Sequence, residues 1–134
     1  QVMELNSDGI VVTGFVDDLG SCFNRCRVNV VPTRFAAGIP QKLTDALSYG
    51  IPTVTSTIIA EQLDLQDYQQ VLIARDAKEF VRKVIELYTD RELWEKIRKN
   101  SYKFIENNFS REIMKKSLDM IMQKALSISN DKYQ

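Results

Sequence analysis

Histidine is absent from the 134 residues of this chain, and cysteine occurs only twice. The lack of histidine excludes Ser-His-Asp and Cys-His catalytic sites, a histidine general base and the common zinc sites. Cys22 and Cys26 lie four residues apart on one face of a predicted helix, and without further ligands they cannot form a closed zinc site. We interpret them as reduced, partly buried thiols, as in a protein of a reducing compartment.

Long apolar segments and an excess of one charge are also lacking. The apolar runs fall well short of the roughly 20 residues that a membrane-spanning helix needs, and the N-terminus has no signal-peptide pattern. Eighteen basic residues balance eighteen acidic ones, so no extended positive field is present to hold a nucleic acid or an anionic membrane. The composition therefore predicts a cytoplasmic protein without a transmembrane segment or a nucleic-acid partner, in which any anion site is local.

Strand and helix patterns alternate along the first half of the chain, whose total length suits a single domain. Short, almost continuously apolar runs at 10–13, 28–31, 53–55 and 71–74 predict strands covered on both faces, as in a parallel sheet. Helical spacing lies between them at 19–26, 41–49 and 58–65. This order predicts an α/β fold built on a doubly wound parallel sheet with right-handed crossovers.

The second half of the chain predicts three C-terminal helices, each opened by a capping residue. Asp76 and Glu79 form a capping box before an apolar face of helical period. Thr89 and Glu92 repeat this box before the next helix, and Ser110 is the predicted N-cap of the last one. Four strands are few for a doubly wound domain, and the chain opens almost directly on the first of them, so we expect a domain truncated at its N-terminus.

The segment that carries chemistry is 32–52, with the sequence PTRFAAGIPQKLTDALSYGIP. It joins a predicted strand to a predicted helix, and Pro40 suits the first helical position. Neither Gly38 nor Ile39 has a side chain that can cap the free N–H groups of the first turn. Because such a loop lies at the carboxyl end of a strand, where α/β folds bind ligands, the turn predicts a site for a diphosphate.

Lys42 and Asp45 lie one turn apart on the following helix and therefore share a face. Lys42 can neutralise phosphate oxygens, and Asp45 can accept hydrogen bonds from vicinal hydroxyls such as those of a ribose. A solvated i,i+3 ion pair is the plainer interpretation of the same spacing. Spacing alone leaves both interpretations open.

The order of several motifs resembles the C-terminal, donor-binding domain of retaining, glycogen-synthase-like glycosyltransferases of group 1, which have the GT-B fold. The motifs are GFVD at 14–17, GIPQKLTDALSYGIPTV at 38–54, Asp76 opening a helix, and NNFS at 107–110. The resemblance covers nearly the whole chain. It implies a Rossmann-like domain that binds a nucleotide-diphosphate sugar, with transfer that retains the anomeric configuration.

The same resemblance implies that much of the active centre lies elsewhere. An N-terminal acceptor-binding domain and most catalytic residues would lie outside this chain, so the chain alone is expected to transfer no sugar. No set of metal ligands is visible, and the fold typically stabilises the leaving diphosphate with helix N-termini and basic groups. We therefore expect neither a metal nor another cofactor.

By this resemblance Asp45 takes the place of the second glutamate of the family's motif, which holds the donor ribose. Gly38 and Ile39 lie where main-chain N–H groups meet the diphosphate. Aspartate is one methylene shorter than glutamate, which leaves room for a bridging water. The motif's first glutamate would fall at Ala37 and is absent. By the same resemblance, some family members with a glycine-rich loop here also lack it and have a lysine at the place of Lys42, which shifts recognition toward the diphosphate.

Four further residues are candidates for donor binding. By the resemblance, Phe15 and Val16 follow the strand where the family seats the nucleobase, with Val16 offering main-chain hydrogen bonds, although both residues also suit a core. Arg34 lies in the loop before Gly38, where it can reach an anionic or sugar group or can simply be exposed to solvent. Gln41, in the first turn of the helix, is the fourth candidate.

Two other classes of protein stay open. The missing first glutamate also suits a catalytically inactive Rossmann-like module that binds a nucleotide or another protein. A flavodoxin-like signalling domain is doubly wound as well, and it requires an acidic cluster at its strand ends. Asp17 and Asp18 are the candidates for that cluster.

Overall fold

A computed structural model of the chain describes residues 3–131, with side chains described for 4–127. A short 3-10 helix, Met3–Leu5, is followed in chain order by α1 (Leu19–Asn24), β1 (Asn29–Val31), α2 (Gln41–Ser48), β2 (Thr53–Ser56), α3 (Thr57–Gln62), β3 (Leu72–Ala74), α4 (Ala77–Thr89), α5 (Arg91–Phe109) and α6 (Arg111–Asp131). Within this part of the chain, no helix combines the length and the apolar composition needed to cross a membrane.

The strands form one parallel sheet in the order β1-β2-β3. Val30 of β1 pairs with Val54 of β2, and Thr55 pairs with Ile73 of β3. Parallel neighbours need crossover connections, which α2 and α3 provide. The predicted Rossmann-like α/β sheet with three C-terminal helices is confirmed, and the helices predicted at 19–26, 41–49 and 58–65 are present but end earlier.

The strand predicted at 10–13 is wrong. Ile10 forms an isolated antiparallel bridge with Ser7, and the Val12 N–H donates to Asn6 Oδ1 at 3.0 Å. Ile10 itself is exposed. An apolar, β-branched run becomes a strand only where a neighbouring strand accepts its hydrogen bonds, and the described residues provide no such neighbour here.

Two apolar clusters cover the two faces of the sheet, because successive strand residues point to opposite sides. The cluster formed with α2 and α3 contains Val31, Leu43, Leu47, Ile59, Ala60, Leu65 and Val71. The cluster formed with α4 and α5 contains Val54, Leu72, Ala74, Leu87 and Ile97. Helix α5 contributes to both, since Ile97 belongs to the second cluster while Phe104 and Ile105 pack against the first.

Two predicted helix caps are confirmed. Asp76 Oδ1 accepts the Glu79 N–H at 2.9 Å, and Glu79 Oε2 accepts the Arg75 N–H at 2.9 Å, which completes a reciprocal box at the start of α4. Ser110 Oγ accepts the Ile113 N–H at 3.4 Å at the start of α6. These caps satisfy donors that the first helical turn leaves free.

Two other helix starts differ from the prediction. The N-cap of α5 is Asp90, which accepts the Leu93 N–H at 2.9 Å. Thr89, the predicted cap, is the last residue of α4, and its hydroxyl donates to the Ile85 carbonyl at 2.8 Å. Pro40 stands at the N-cap of α2, one position before the predicted one, and gives no side-chain cap.

Gly50 follows the C-cap of α2 with a φ of 68°, as its predicted role after the helix requires. A Cβ at this position would lie 2.4 Å from the ring of Tyr102 on α5. We expect Gly50→Ala to lower the free energy of unfolding by about 2–3 kcal/mol, because alanine disfavours this backbone and displaces the ring. Urea denaturation measures the change.

Gly38→Ala is the matched control for this prediction. Gly38 has a φ of 77°, but an added Cβ would meet no heavy atom within 4 Å. Its loss should therefore be confined to the backbone contribution of about 1–2 kcal/mol. Equal losses at Gly50 and Gly38 would contradict the steric part of the argument.

Candidate functional site

A cleft of about 1160 Å³ lies beside the loop that follows β1. The loop 35–40, the first turns of α2, helix α1 and the junction of α5 with α6 all contribute to its lining. Five of the predicted site residues, Gly38, Ile39, Gln41, Lys42 and Asp45, line this one cleft. The local sequence explains this arrangement, because the loop and the helix that carry these residues are contiguous.

Free main-chain donors border the cleft at the start of α2. The N–H groups of Leu43 and Thr44 both donate to the Pro40 carbonyl, at 2.8 and 3.2 Å. The N–H groups of Gln41 and Lys42 have no acceptor among the described residues, since Pro40 provides no side-chain cap. The end of α2 that borders the cleft is therefore positive and unsatisfied, which suits an anion.

Lys42 and Asp45 stand in the cleft as separate charges. Lys42 Nζ donates to the Thr33 hydroxyl at 3.5 Å, and no ion pair joins Lys42 to Asp45. The direct i,i+3 ion pair of the plainer interpretation is therefore not formed between these two residues. Both side chains are exposed, and a cation and a carboxylate one turn apart are available to a ligand.

Part of the cleft lining is apolar, and we call Phe23, Phe109 and Met114 its apolar wall. Phe23 of α1 lies there, and its ring stacks on that of Tyr49 with a centroid distance of 5.1 Å. Phe109 and Met114, from the junction of α5 and α6, line the same wall. Phe35, on the loop, is 89% exposed beside them. Aromatic and thioether side chains at a cleft can pack against a flat ring.

The sequence profile of the family Glycosyl transferases group 1 matches residues 1–90. That stretch is more than half of the chain, and it contains the sheet, the loop after β1 and α2. The chain belongs to the group 1 glycosyltransferases. The recognition made from the motifs at 14–17 and 38–54 is confirmed.

A solved structure supports the fold of this glycosyltransferase chain. The C-terminal domain of the glycosyl transferase group 1 family protein LpcC from Francisella tularensis superposes with a TM-score of 0.64 at 16% sequence identity. The match covers 73% of this chain and 52% of that chain, so the matched part spans about half the length of the solved domain. No curated protein sequence matches it.

Three predicted site residues of this chain lie outside the cleft lining. Phe15 is 90% exposed, so its interpretation as a core residue is wrong, and Val16 is partly buried. Arg34 lines an adjoining pocket of about 540 Å³ together with Arg75. Thr33 lines both cavities, so the pocket and the cleft adjoin.

The acidic pair considered for a signalling domain has a structural explanation. Asp18 is the N-cap of α1, and its Oδ1 accepts the Gly20 N–H at 2.9 Å. Asp17 is exposed beside it. A carboxylate that caps a helix is satisfied locally, so this pair does not require the signalling interpretation.

Proposed function

We propose that this chain is the donor-binding half of a glycosyltransferase that moves a sugar from a nucleotide-diphosphate sugar to an acceptor with retention of configuration. One observation supports the proposal most strongly. The free N–H groups of the first turn of α2, the Lys42 ammonium and the Asp45 carboxylate meet in a single cleft without neutralising each other.

The diphosphate binds at the start of α2. Its oxygens accept hydrogen bonds from the free N–H groups of Gln41 and Lys42, and the Lys42 ammonium neutralises part of their charge. Gly38, with its positive φ, turns the chain into this position and leaves no side chain between the backbone and the ligand. The loop before α2 is thus built for close approach of an anion.

The nucleoside extends from the diphosphate along α2. Asp45 lies one turn beyond Lys42, and a helical turn of about 5.4 Å is comparable to the step from phosphate to ribose. Its carboxylate accepts hydrogen bonds from the ribose hydroxyls, directly or through a water. The apolar wall at Phe23 and Phe109 then receives the flat base.

Sugar transfer itself needs a second domain. The cleft holds the leaving diphosphate, and the same N–H groups and Lys42 stabilise the charge that develops on it. Ala37 lines the cleft without a carboxylate, so recognition of the transferred sugar and of the acceptor is assigned to an N-terminal domain. The chain alone is therefore proposed to bind the donor and to transfer nothing.

An amide NMR titration of this chain with UDP-, GDP- and ADP-sugars tests the proposal. We expect saturable shifts for one nucleotide, centred on 38–42 and Asp45. Asp45→Asn should weaken binding about tenfold, because the ribose loses a charged acceptor while the side-chain shape is kept. Asp119→Asn, on the exposed surface of α6, is the matched control and should bind as the parent chain does.

The same titration separates the proposal from the inactive-module alternative. Saturable shifts confined to other surfaces would favour an interaction module. Unchanged affinity in Asp45→Asn would remove the ribose assignment while leaving the diphosphate assignment to be judged from the shifts at 38–42. Transfer of sugar to any acceptor by the purified chain would contradict the assignment of catalysis to a second domain.

A further inference from the structure

A pocket of about 350 Å³ lies on the side of the domain where the chain enters β1 and β2. Arg25, Arg27 and Arg98 line it, together with Trp94 and the turn at Gly50. None of its lining residues is an aspartate or a glutamate, and no carboxylate in the described part of the chain pairs with these three arginines. Because the chain as a whole is neutral, this is a local concentration of positive charge.

Aromatic rings hold two of the three guanidinium groups in place. The guanidinium carbon of Arg27 lies 5.3 Å from the ring centroid of Tyr88 and 5.5 Å from that of Trp94. The corresponding carbon of Arg98 lies 5.2 Å from Trp94 and 5.8 Å from Tyr102. The Trp94 indole N–H donates to the Arg27 carbonyl at 2.8 Å, which fixes the central ring.

These contacts leave most guanidinium N–H donors available. Arg27 Nε donates to the Tyr88 carbonyl at 3.0 Å, whereas the guanidinium groups of Arg25 and Arg98 have no acceptor among the described residues. Stacking on a ring uses the flat face of a guanidinium and leaves its N–H edges free. An arginine that is already positioned loses less side-chain entropy when it binds an oxyanion.

The neighbouring groups do not supply a counter-charge. The Cys26 thiol donates to the Val28 carbonyl at 3.1 Å, and burial raises its pKa, so it stays neutral at physiological pH. Glu95 lies near Arg98 in an adjacent cavity, but its carboxylate is engaged by Arg91 Nε at 2.8 Å. The positive charge of the pocket is thus left for a ligand.

We propose that this arginine pocket binds a phosphomonoester group. A carboxylate presents two oxygens and can satisfy one guanidinium fork, whereas a phosphomonoester presents three free oxygens and can engage three arginines together. The volume suits a phosphate with a small attached group. The inference is independent of the proposed donor site, because the two cavities share only Phe23 among their lining residues.

The first test titrates the whole chain with inorganic phosphate and with glycerol 3-phosphate, replacing chloride at constant ionic strength, and follows backbone and arginine side-chain NMR signals. We expect saturable shifts at 23–27, 49–51 and 94–98. Arg98→Ala should bind at least about tenfold more weakly, which corresponds to about 1.4 kcal/mol. Arg98→Lys keeps the charge but loses the planar fork and should fall between the two.

Two further variants keep this test decisive. Arg111→Ala removes an exposed arginine outside the pocket and should leave binding unchanged. Arg25→Ala removes a pocket arginine that takes no part in the aromatic stack, so it should weaken binding even if Arg98→Ala proves unstable.

The carrier of the phosphate is either a soluble compound or a lipid headgroup, and a second experiment distinguishes them. Vesicles of phosphatidylcholine with phosphatidic acid are sedimented with the chain, and phosphatidylcholine vesicles serve as the blank. Saturable binding of soluble phosphate identifies a soluble ligand, and vesicle binding that Arg98→Ala abolishes identifies a headgroup. Non-saturating shifts that persist in Arg98→Ala, without vesicle binding, would overturn the proposal.

Discussion

For the proposed two-domain enzyme, we expect Lys42→Ala to lower the kcat of sugar transfer by about 100-fold. Removing one group that stabilises charge developing in a transition state typically costs about 10²–10³-fold. No carboxylate in the described residues pairs with Lys42, and its one hydrogen bond, to the Thr33 hydroxyl, is long at 3.5 Å. Its charge is therefore free to act on the leaving diphosphate of the proposed donor.

The measurement is kcat at saturating donor, with the folded state of each variant checked by circular dichroism. Lys42→Arg keeps a cation and should retain part of the activity, whereas Lys124→Ala, an exposed lysine on α6, should behave as the parent enzyme.

Because Lys42 and the start of α2 supply positive charge, we propose that the enzyme keeps its activity in a chelator. Full kcat in Lys42→Ala, or activity that chelation removes and manganese restores, would contradict the mechanism.

Lys83→Ala is expected to lower the free energy of unfolding by about 3–4 kcal/mol. The Lys83 side chain on α4 is only 2% exposed. Its ammonium donates to Asp67 Oδ2 and to the Ile73 carbonyl, each at 2.5 Å, and lies 4.8 Å from the ring centroid of Tyr68. Truncation leaves a cavity and removes the partner of both oxygens, and breaking a buried pair typically costs about 3–5 kcal/mol. Asp67 is 40% exposed, so water limits the loss.

Loss of the contact between Lys83 and Asp67 is strongly destabilising because this contact joins two parts of the fold. Asp67 Oδ1 also accepts the Ile73 N–H at 2.7 Å, so one carboxylate ties the segment before β3 both to the strand and to α4. Desolvation, followed by the hydrogen bond to Glu86, raises the pKa of Tyr68, so the nearby phenol stays neutral. The loss of Lys83 therefore loosens strand, segment and helix together.

Two substitutions divide the effect of Lys83 into its parts, and urea denaturation measures both. Lys83→Met keeps most of the side-chain volume but not the charge, and we expect it to lose about 2 kcal/mol through the unpaired oxygens. Lys78→Ala, exposed on the same helix, should change the stability by less than about 0.5 kcal/mol. A Lys83→Met variant as stable as the parent chain would show that packing alone accounts for the loss.

The sheet was predictable because buried parallel strands leave a continuous apolar pattern. The runs at 28–31, 53–55 and 71–74 correspond to β1, β2 and β3 within a residue or so at each end. The run at 10–13 has the same composition and is no strand, since composition indicates a tendency to extend but not the presence of a hydrogen-bonding neighbour. Whether the run at 10–13 forms a strand therefore depends on its tertiary neighbours and not on its own composition.

Lys83 shows a second limit of local patterns. A lysine on an amphipathic helix is ordinarily exposed to solvent, yet Lys83 is buried, and Asp67, 16 residues earlier, pairs with it. The predicted N-cap of α5 was wrong for a local reason. Thr89 and Asp90 are adjacent cap-forming residues, and the carboxylate of Asp90 takes the position.

The candidate site likewise has one part that could be predicted from the sequence and another that could not. The loop and α2 face could be predicted, because 38–42 and Asp45 are neighbours along the chain. The apolar wall could not, since Phe23 and Met114 reach the cleft from helices far apart in sequence. Phe109 belongs to the motif NNFS at 107–110, but the motif does not indicate that this residue lines the cleft. The arginine pocket could not be predicted from the sequence either, because its three arginines come from the segment before β1 and from α5.

The path of α5 has a consequence for how the domain unfolds. The sheet separates two apolar clusters that share no buried residue, and such a layered core could in principle lose one layer at a time. Helix α5 packs Ile97 into one layer and Phe104 and Ile105 against the other. Releasing this helix exposes both layers at once. We therefore expect the amide protons on both sides of the sheet to exchange through one large opening event, and the domain to unfold as a single cooperative unit.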